Sequence, residues 1–297
     1  MVNDKLNRSL YGVTYAPKDV IEPACGANFR SVMLDVARIS RITSRIRTYG
    51  TQCDQADFIL QAFQELNLNM TLAVGVWITS DEYSNWKQMR TLKALLSKYP
   101  RKYFESISIG HEALFREDID EGKLIGFIKE AKSYVQSLGF TDLPVGTSET
   151  SGEITPALFR ACDFVGVSTQ PFFSGIDVED AAQWALDYLQ QTVVPLRNKT
   201  NSACGIIISE IGWPYQGGSF LKAWAGSEEV QIFLDSWICK LESSNQAWYY
   251  HEAFDEPWKT VFDDGESKWE SHWGFFGSDR QMKKGIVMPS CNATINT

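Results

Sequence analysis

"MTLAVGVWI" (residues 70–78) decides the fold. It has the length of a strand, and its apolar residues fall on both alternating faces. A strand with one wet face would alternate polar and apolar; one that is apolar on both faces belongs in a parallel sheet covered by helices. "GIIISEIGWP" (205–214) opens the same way. Upstream of 70–78 lies "DQADFILQAFQELN" (54–67), where Ile59, Ala62, Phe63 and Leu66 share one helical face and Asp54 is placed as the N-cap. Downstream lies a second helical pattern, "SDEYSNWKQMRTLKALLSKY" (80–99).

The alternation extends in both directions. "LYGVTY" (10–15) precedes the helical "FRSVMLDVARI" (29–39), and "SRIRTYG" (44–50) precedes 54–67. "FESISIG" (104–110) leads to a helix with Leu124, Ile128, Ala131, Val135 and Leu138 on one face, closed by Gly139. Later strands read at 143–149, 163–172, 205–214 and 247–254, with helices at 154–161, 178–193 and 226–243 between them. These make eight strand-then-helix units if the tail supplies the last helix. The pattern predicts an α/β fold, a single-domain (β/α)8 TIM barrel over residues 1–297. An open dinucleotide-binding sheet is disfavoured, because no G-x-G-x-x-G follows the first strand.

A net charge of −9 argues against a nucleic-acid or anionic-membrane partner, either of which calls for a basic surface. The longest apolar runs are too short to span a membrane. Six cysteines lack C-x-x-C or Cys/His ligand spacing, so no metal site is expected. Their even count fits disulfides and buried free thiols equally well. Four N-x-S/T triplets, at Asn7, Asn69, Asn198 and Asn292, tilt the balance towards secretion and at least one disulfide. The first residues have no apolar core of a signal peptide, so a signal, if used, is expected to have been removed.

Barrels of this type keep their active sites at the C-terminal strand ends. Carboxylates gather there: Glu112, Glu149, Glu210, Glu252, Asp255 and Glu256. So do aromatic residues: Tyr15, Tyr49, Trp77, Phe172, Phe173, Trp213, Tyr215 and Trp258. A single Glu at a strand end serves more often as an ion-pair partner than as a catalyst, and a single aromatic more often as a core lid. Together, carboxylates among aromatic faces suit sugars, and two of them across a glycosidic bond can act as acid/base and nucleophile. Spacing alone does not pick the pair.

"SIGHEALFRED", "IIISEIGWPYQGGS" and "HEAFDEPWK" together resemble the signature segments of glycoside hydrolase family 17, the β-1,3-glucanases and glucanosyltransferases. The resemblance runs from "YGVTYAP" and "IRTYG" through "STQPFFSG" to "SHWGFF", nearly the whole chain in order. "FDEPWK" resembles the fungal cell-wall branch. The resemblance implies Glu112 as general acid/base and Glu210 as nucleophile. It implies that Glu256 and Lys259 assist, with Glu252 beside them, and that Tyr15, Tyr49, Gln170, Phe172 and Trp213 line the sugar groove. One departure stands out: His111 occupies the place before the acid/base where Asn is usual, which puts pH dependence in question. The implied protein is a secreted or cell-wall monomer that needs no cofactor. It cleaves β-1,3-glucan with retention and transfers the product to another glucan, with residual hydrolysis.

Two other classes stay open. A non-catalytic glucan-binding barrel would lose one of the two Glu residues, and both are present. An aldolase or isomerase on phosphorylated sugars would want a Schiff-base lysine or a glycine-rich phosphate loop. Gly217-Gly218 follows a Trp-Pro pair with no helix starting directly after it.

Overall fold

Eight parallel strands close on themselves in the computed structural model, in the order β1-β10-β7-β6-β5-β4-β3-β2. The structure describes residues 6, 8–200, 202–242, 244–265, 267–289 and 291. The barrel strands are β1 (Gly12–Thr14), β2 (Arg45–Arg47), β3 (Thr71–Val76), β4 (Phe104–His111), β5 (Val145–Thr150), β6 (Phe164–Ser168), β7 (Gly205–Ile211) and β10 (Trp248–Tyr250). The short antiparallel pair β8 (Ser219–Phe220) and β9 (Ala223–Trp224) forms a ribbon after β7. The TIM-barrel expectation holds.

Helices α1 (Phe29–Ile39), α2 (Gln55–Glu65), α3 (Glu82–Lys98), α4 (Glu121–Ser137), α5 (Pro156–Ala161), α6 (Val178–Thr192), α7 (Val194–Asn198) and α8 (Ser227–Leu241) pack outside the strands. Several begin on side chains that accept otherwise unpaired first-turn amides. Asn28 caps α1, Asp81 caps α3, Asp120 caps α4, and Thr155 caps α5 ahead of Pro156. Gly139 ends α4 as expected, with φ +75° and Phe140 N bonded back to Val135 O.

Three expectations need correction. Asp54 does not cap α2: it sits in the left-handed region at φ 56°, and its side chain makes no capping bond. Among the described residues the tail supplies no α-helix after the last barrel strand; two 3-10 turns, Pro257–Phe262 and Glu270–His272, follow β10 instead. The last strand is shorter than 247–254: at Glu252 the backbone bonds to Trp273 and Phe275 instead of a barrel strand, although Ala253 N still reaches Thr14 O on β1. That exchange lays "SHWGFF" beside the strand end and puts Glu252 and Glu256 at the mouth.

The core is the shell between strands and helices, with Val74, Val76, Ile107, Ile109, Val165, Val167 and Ile208 fully buried. Disulfides join Cys25 to Cys53 and Cys239 to Cys291, while Cys162 and Cys204 remain buried thiols. Asn69 and Asn198 are exposed; Asn7 and Asn292 lie outside the described residues. Among the described residues, no helix is long and apolar enough to cross a membrane.

Candidate active site

Glu210, the penultimate residue of β7, has its carboxylate buried at the barrel mouth. Opposite it, β2 directs Arg47 inward. The two side chains meet at 3.3 Å, Nη1 to Oε1, and both are almost fully buried. Arg47 also reaches His111 at the end of β4, Nη2 to Nδ1 3.3 Å. A guanidinium can only donate, so Nδ1 accepts and the proton of neutral His111 sits on Nε2. That nitrogen points towards Glu210 Oε1, 3.6 Å away. Burial, then the charges of Arg47, Arg116 and Lys259, hold the His111 pKa well below its usual value. His111 is therefore a neutral donor beside the carboxylate.

Glu112 follows directly. Its backbone lies at φ 53°, a region that costs a non-glycine residue energy and that structure at functional sites tends to enforce. Here the enforcement is visible. Glu112 N donates to Ser148 O on β5 at 2.8 Å, and Arg116 N closes the turn on Glu112 O at 2.9 Å. The Arg116 guanidinium bonds back to His111 O, Ile78 O and Asp118, and stacks over Trp77. Carboxylate oxygens of Glu112 and Glu210 and a ring nitrogen of His111 all lie within 4.8 Å of one another. Burial, then the charge of Glu210, raises the Glu112 pKa above the ordinary range. Ser168, Arg116 and Arg47 oppose that rise. Ser168 Oγ is near enough to favour the ionised form without the geometry of a formed hydrogen bond.

A second charged cluster sits beside the pair. Lys259 Nζ lies 3.0 Å from both oxygens of Glu252 and 2.9 Å from Glu256. Burial works against the lysine's charge, yet the two carboxylates outweigh it and raise its pKa. Glu256, Lys259, Tyr49, His111 and Glu210 line one cleft of about 540 Å³ together with Trp77, Trp258 and His251. Gly75 on β3 shapes this wall: a Cβ there would run into the backbone of Thr48 and Tyr49, so only glycine lets Tyr49 come so close.

Other expected sugar contacts are placed differently. Tyr15 is buried and donates to Asp35 at 2.6 Å, which is itself ion-paired to Arg280. Phe172 is fully buried among Phe173, Trp213, Trp269 and Trp273. Trp213 is also fully buried, its Nε1 donating to Trp224 O at 2.7 Å. These three rings support the wall and offer no free face, so they are corrected from sugar-facing to packing positions. Gln170, half-buried, accepts from Gly212 N at 3.1 Å and braces the turn after Glu210. Asp255 pairs with Lys283 and anchors the tail away from the cleft.

Two residues were missed in the sequence. Arg47 carried a signal: a charged residue on an inward-facing strand position of "SRIRTYG" must be paired inside the barrel. His251 stands inside the quoted "HEAFDEPWK" yet received no role. Its Nδ1 lies 3.0 Å from Tyr49 Oη and 3.8 Å from Glu210 Oε1, and burial lowers its pKa to about 3 against the charge of Glu210. His111, Glu112 and Glu210 are the only metal-compatible set found among the described residues. Arg47 already sets a fixed positive charge against two of them, so they do not fit a resident dication.

Residues 12–274 match the family model described as the BtgE/BtgC glycoside hydrolase domain. The chain belongs to this family. As a BtgE/BtgC glycoside hydrolase, it is 35% identical over 98% of its length to the putative glucan endo-1,3-beta-glucosidase btgC of Aspergillus niger. It is 32% identical over its full length to the probable glucan endo-1,3-beta-glucosidase btgC of Aspergillus fumigatus. It spans only 45% and 46% of those two relatives. Among solved structures it resembles the glycoside hydrolase family 17 β-1,3-glucanosyltransferase of Rhizomucor miehei, with TM-score 0.81, 26% identity and coverage of 96% and 99% of the two chains. An active-site mutant of that enzyme in complex with laminaritriose superimposes at TM-score 0.82 with 27% identity, over 96% and 99% of the two chains. The family 17 resemblance read from the motifs is confirmed.

Proposed function

We propose that this domain cleaves β-1,3-glucan with retention of configuration and transfers the glycosyl unit to another glucan, with residual hydrolysis. One observation carries the reading: oxygens of Glu112 and Glu210 come within 4.8 Å. Retaining enzymes hold their two carboxyls about 5–5.5 Å apart, whereas inverting ones leave room for a water between them at about 6.5–9.5 Å.

Glu210 attacks the anomeric carbon as that carbon's bond to the leaving oxygen breaks. Glu112 donates its proton to the departing oxygen, a task its raised pKa suits. A covalent glycosyl-enzyme results. Glu112, now a carboxylate, takes a proton from the acceptor hydroxyl, whose oxygen displaces Glu210. Arg47 and neutral His111 orient the nucleophile, and the Nε2–H of His111 offers a donor to a sugar hydroxyl beside it. Lys259 is held by Glu252 and Glu256 at the cleft wall, and Tyr49, Trp77 and Trp258 give the sugar its apolar faces.

Phe115, Phe173 and Trp224 stay exposed on the segments after β4, β6 and β7 and are aromatic faces available to a second glucan. The names of the btgC relatives favour the other reading, a predominantly hydrolytic endo-β-1,3-glucanase. Two disulfides and an exposed Asn69 support a secreted or cell-wall location, where such bonds persist. Product analysis on laminari-oligosaccharides tests the proposal. Products longer than the substrate establish transfer, shorter ones alone establish hydrolysis, and no products leave a glucan-binding barrel.

A further inference from the structure

Glu149 is the carboxylate at the mouth that the mechanism above does not use. It lies in β5, fully buried, one residue after Ser148, whose carbonyl holds Glu112 N. Its Oε1 accepts the backbone amide of Leu114 at 3.2 Å, and the amides of Ala113 and Phe115 also face it. Its Oε2 is buried with no hydrogen-bond partner. An unpartnered buried carboxylate oxygen is costly, and a purely structural amide acceptor could be an uncharged side chain.

We infer that Glu149 is a positioning residue for Glu112: together with Ser148 it clamps the turn that carries the acid/base carboxyl. Two consecutive β5 residues grip two points of one turn, Ser148 at Glu112 and Glu149 at Leu114. Glu112 can therefore hold its left-handed backbone without a glycine. Burial raises the Glu149 pKa to about 7, the facing amides oppose this, and the charge of Glu112 adds to it. Glu112 is the charged group that faces Glu149. Glu112 in turn is faced by Glu210 from β7, Arg116 from its own turn and Arg47 from β2.

This inference rests on the proposed role of Glu112, so its test has a readout independent of turnover. Glu149→Gln keeps an oxygen for Leu114 N, and Glu149→Ala removes it. The backbone amide signals of Ala113, Leu114 and Phe115, followed by 15N NMR, should stay near their wild-type positions in Glu149→Gln and shift in Glu149→Ala, where the turn is released. Glu149→Ala should lower kcat on laminari-oligosaccharides by up to about a hundredfold, the scale of a misplaced catalytic group, while changing KM little. Glu149→Gln should restore most of that loss. A folded Glu149→Ala protein with unmoved amide signals and wild-type kcat overturns the inference. Shifted amides in Glu149→Ala, when the wild-type protein cleaves no glucan, would instead overturn the proposed function and leave the clamp standing.

Discussion

Arg47 crosses the barrel mouth from β2 to Glu210 on β7, and the same guanidinium fixes the tautomer of His111 on β4. Three strands thus converge on one buried cation. Removing one partner of a buried ion pair leaves the other uncompensated and costs about 3–5 kcal/mol. Arg47→Met should therefore lower the thermal midpoint sharply. Arg47→Lys, which keeps the charge but not the fork, should fold better yet lose roughly a hundredfold in kcat, the scale of one misplaced donor at a reacting centre. Melting curves with kinetics on both variants check this. A Lys variant with wild-type turnover would show that the fork is dispensable.

The division of labour between the two carboxylates gives a second expectation. On the proposed roles, Glu210→Ala removes the attacking group and should abolish turnover of natural and aryl glucosides alike. Glu112→Ala should lose about 10² to 10⁴ on natural glucan, the usual worth of general acid–base help. On an activated aryl β-laminaribioside the Glu112 variant should keep slow turnover, accelerated by azide and yielding a β-glycosyl azide. Rescue of Glu210→Ala instead would swap the two roles.

His111 and His251 are neutral in the fold for the same first reason, burial. A base whose folded pKa is depressed cannot take up the proton that the unfolded chain accepts below about 6.5. Its contribution to stability is thus full above that pH and falls as pH drops, for His251 down to about 3. The stability difference between wild type and His111→Asn should shift in favour of Asn as pH falls from 7 to 4, measured by urea unfolding. For activity, Asn should change the level of kcat/KM without moving a limb between pH 5 and 8. A limb that disappears in the Asn variant would mean that His111 titrates during turnover.

Thiol titration of the denatured, unreduced protein should find two free cysteines, Cys162 and Cys204. The two bonds close loops of 28 and 52 residues. Each such closure stabilises by about 3–4 kcal/mol through the unfolded chain. Reduction should therefore lower the melting temperature, and six titratable thiols before reduction would contradict both pairings.

The barrel was readable because parallel strands, buried on both faces, leave long apolar words such as "TLAVGVWI", while helices leave a period of about 3.6 residues. Motif order brought Glu112, Glu210, Tyr49, His111, Glu256 and Lys259 to one mouth. Tyr15, Phe172 and Trp213 failed because sequence places an aromatic at a strand end but does not say which way its ring faces. Arg47 stayed hidden for a related reason: its partners are on β4 and β7, and only closure of the barrel brings them together. The missing last helix escaped notice because tail residues such as Ile286 and Met288 are buried without helical spacing.

The Cys25–Cys53 bond ties the loop after β1 to the loop after β2. The first carries Val20, Ile21 and Glu22 to the cleft, and the second carries Gln52. Two walls that would otherwise breathe separately are thereby one covalent hoop, anchored at β1 and β2. The width of the groove on that side is set by a crosslink as well as by the bonds of Glu22 and Gln52 to α3, so a reducing milieu would loosen that wall while leaving the carboxylates at the ends of β4 and β7 where they are.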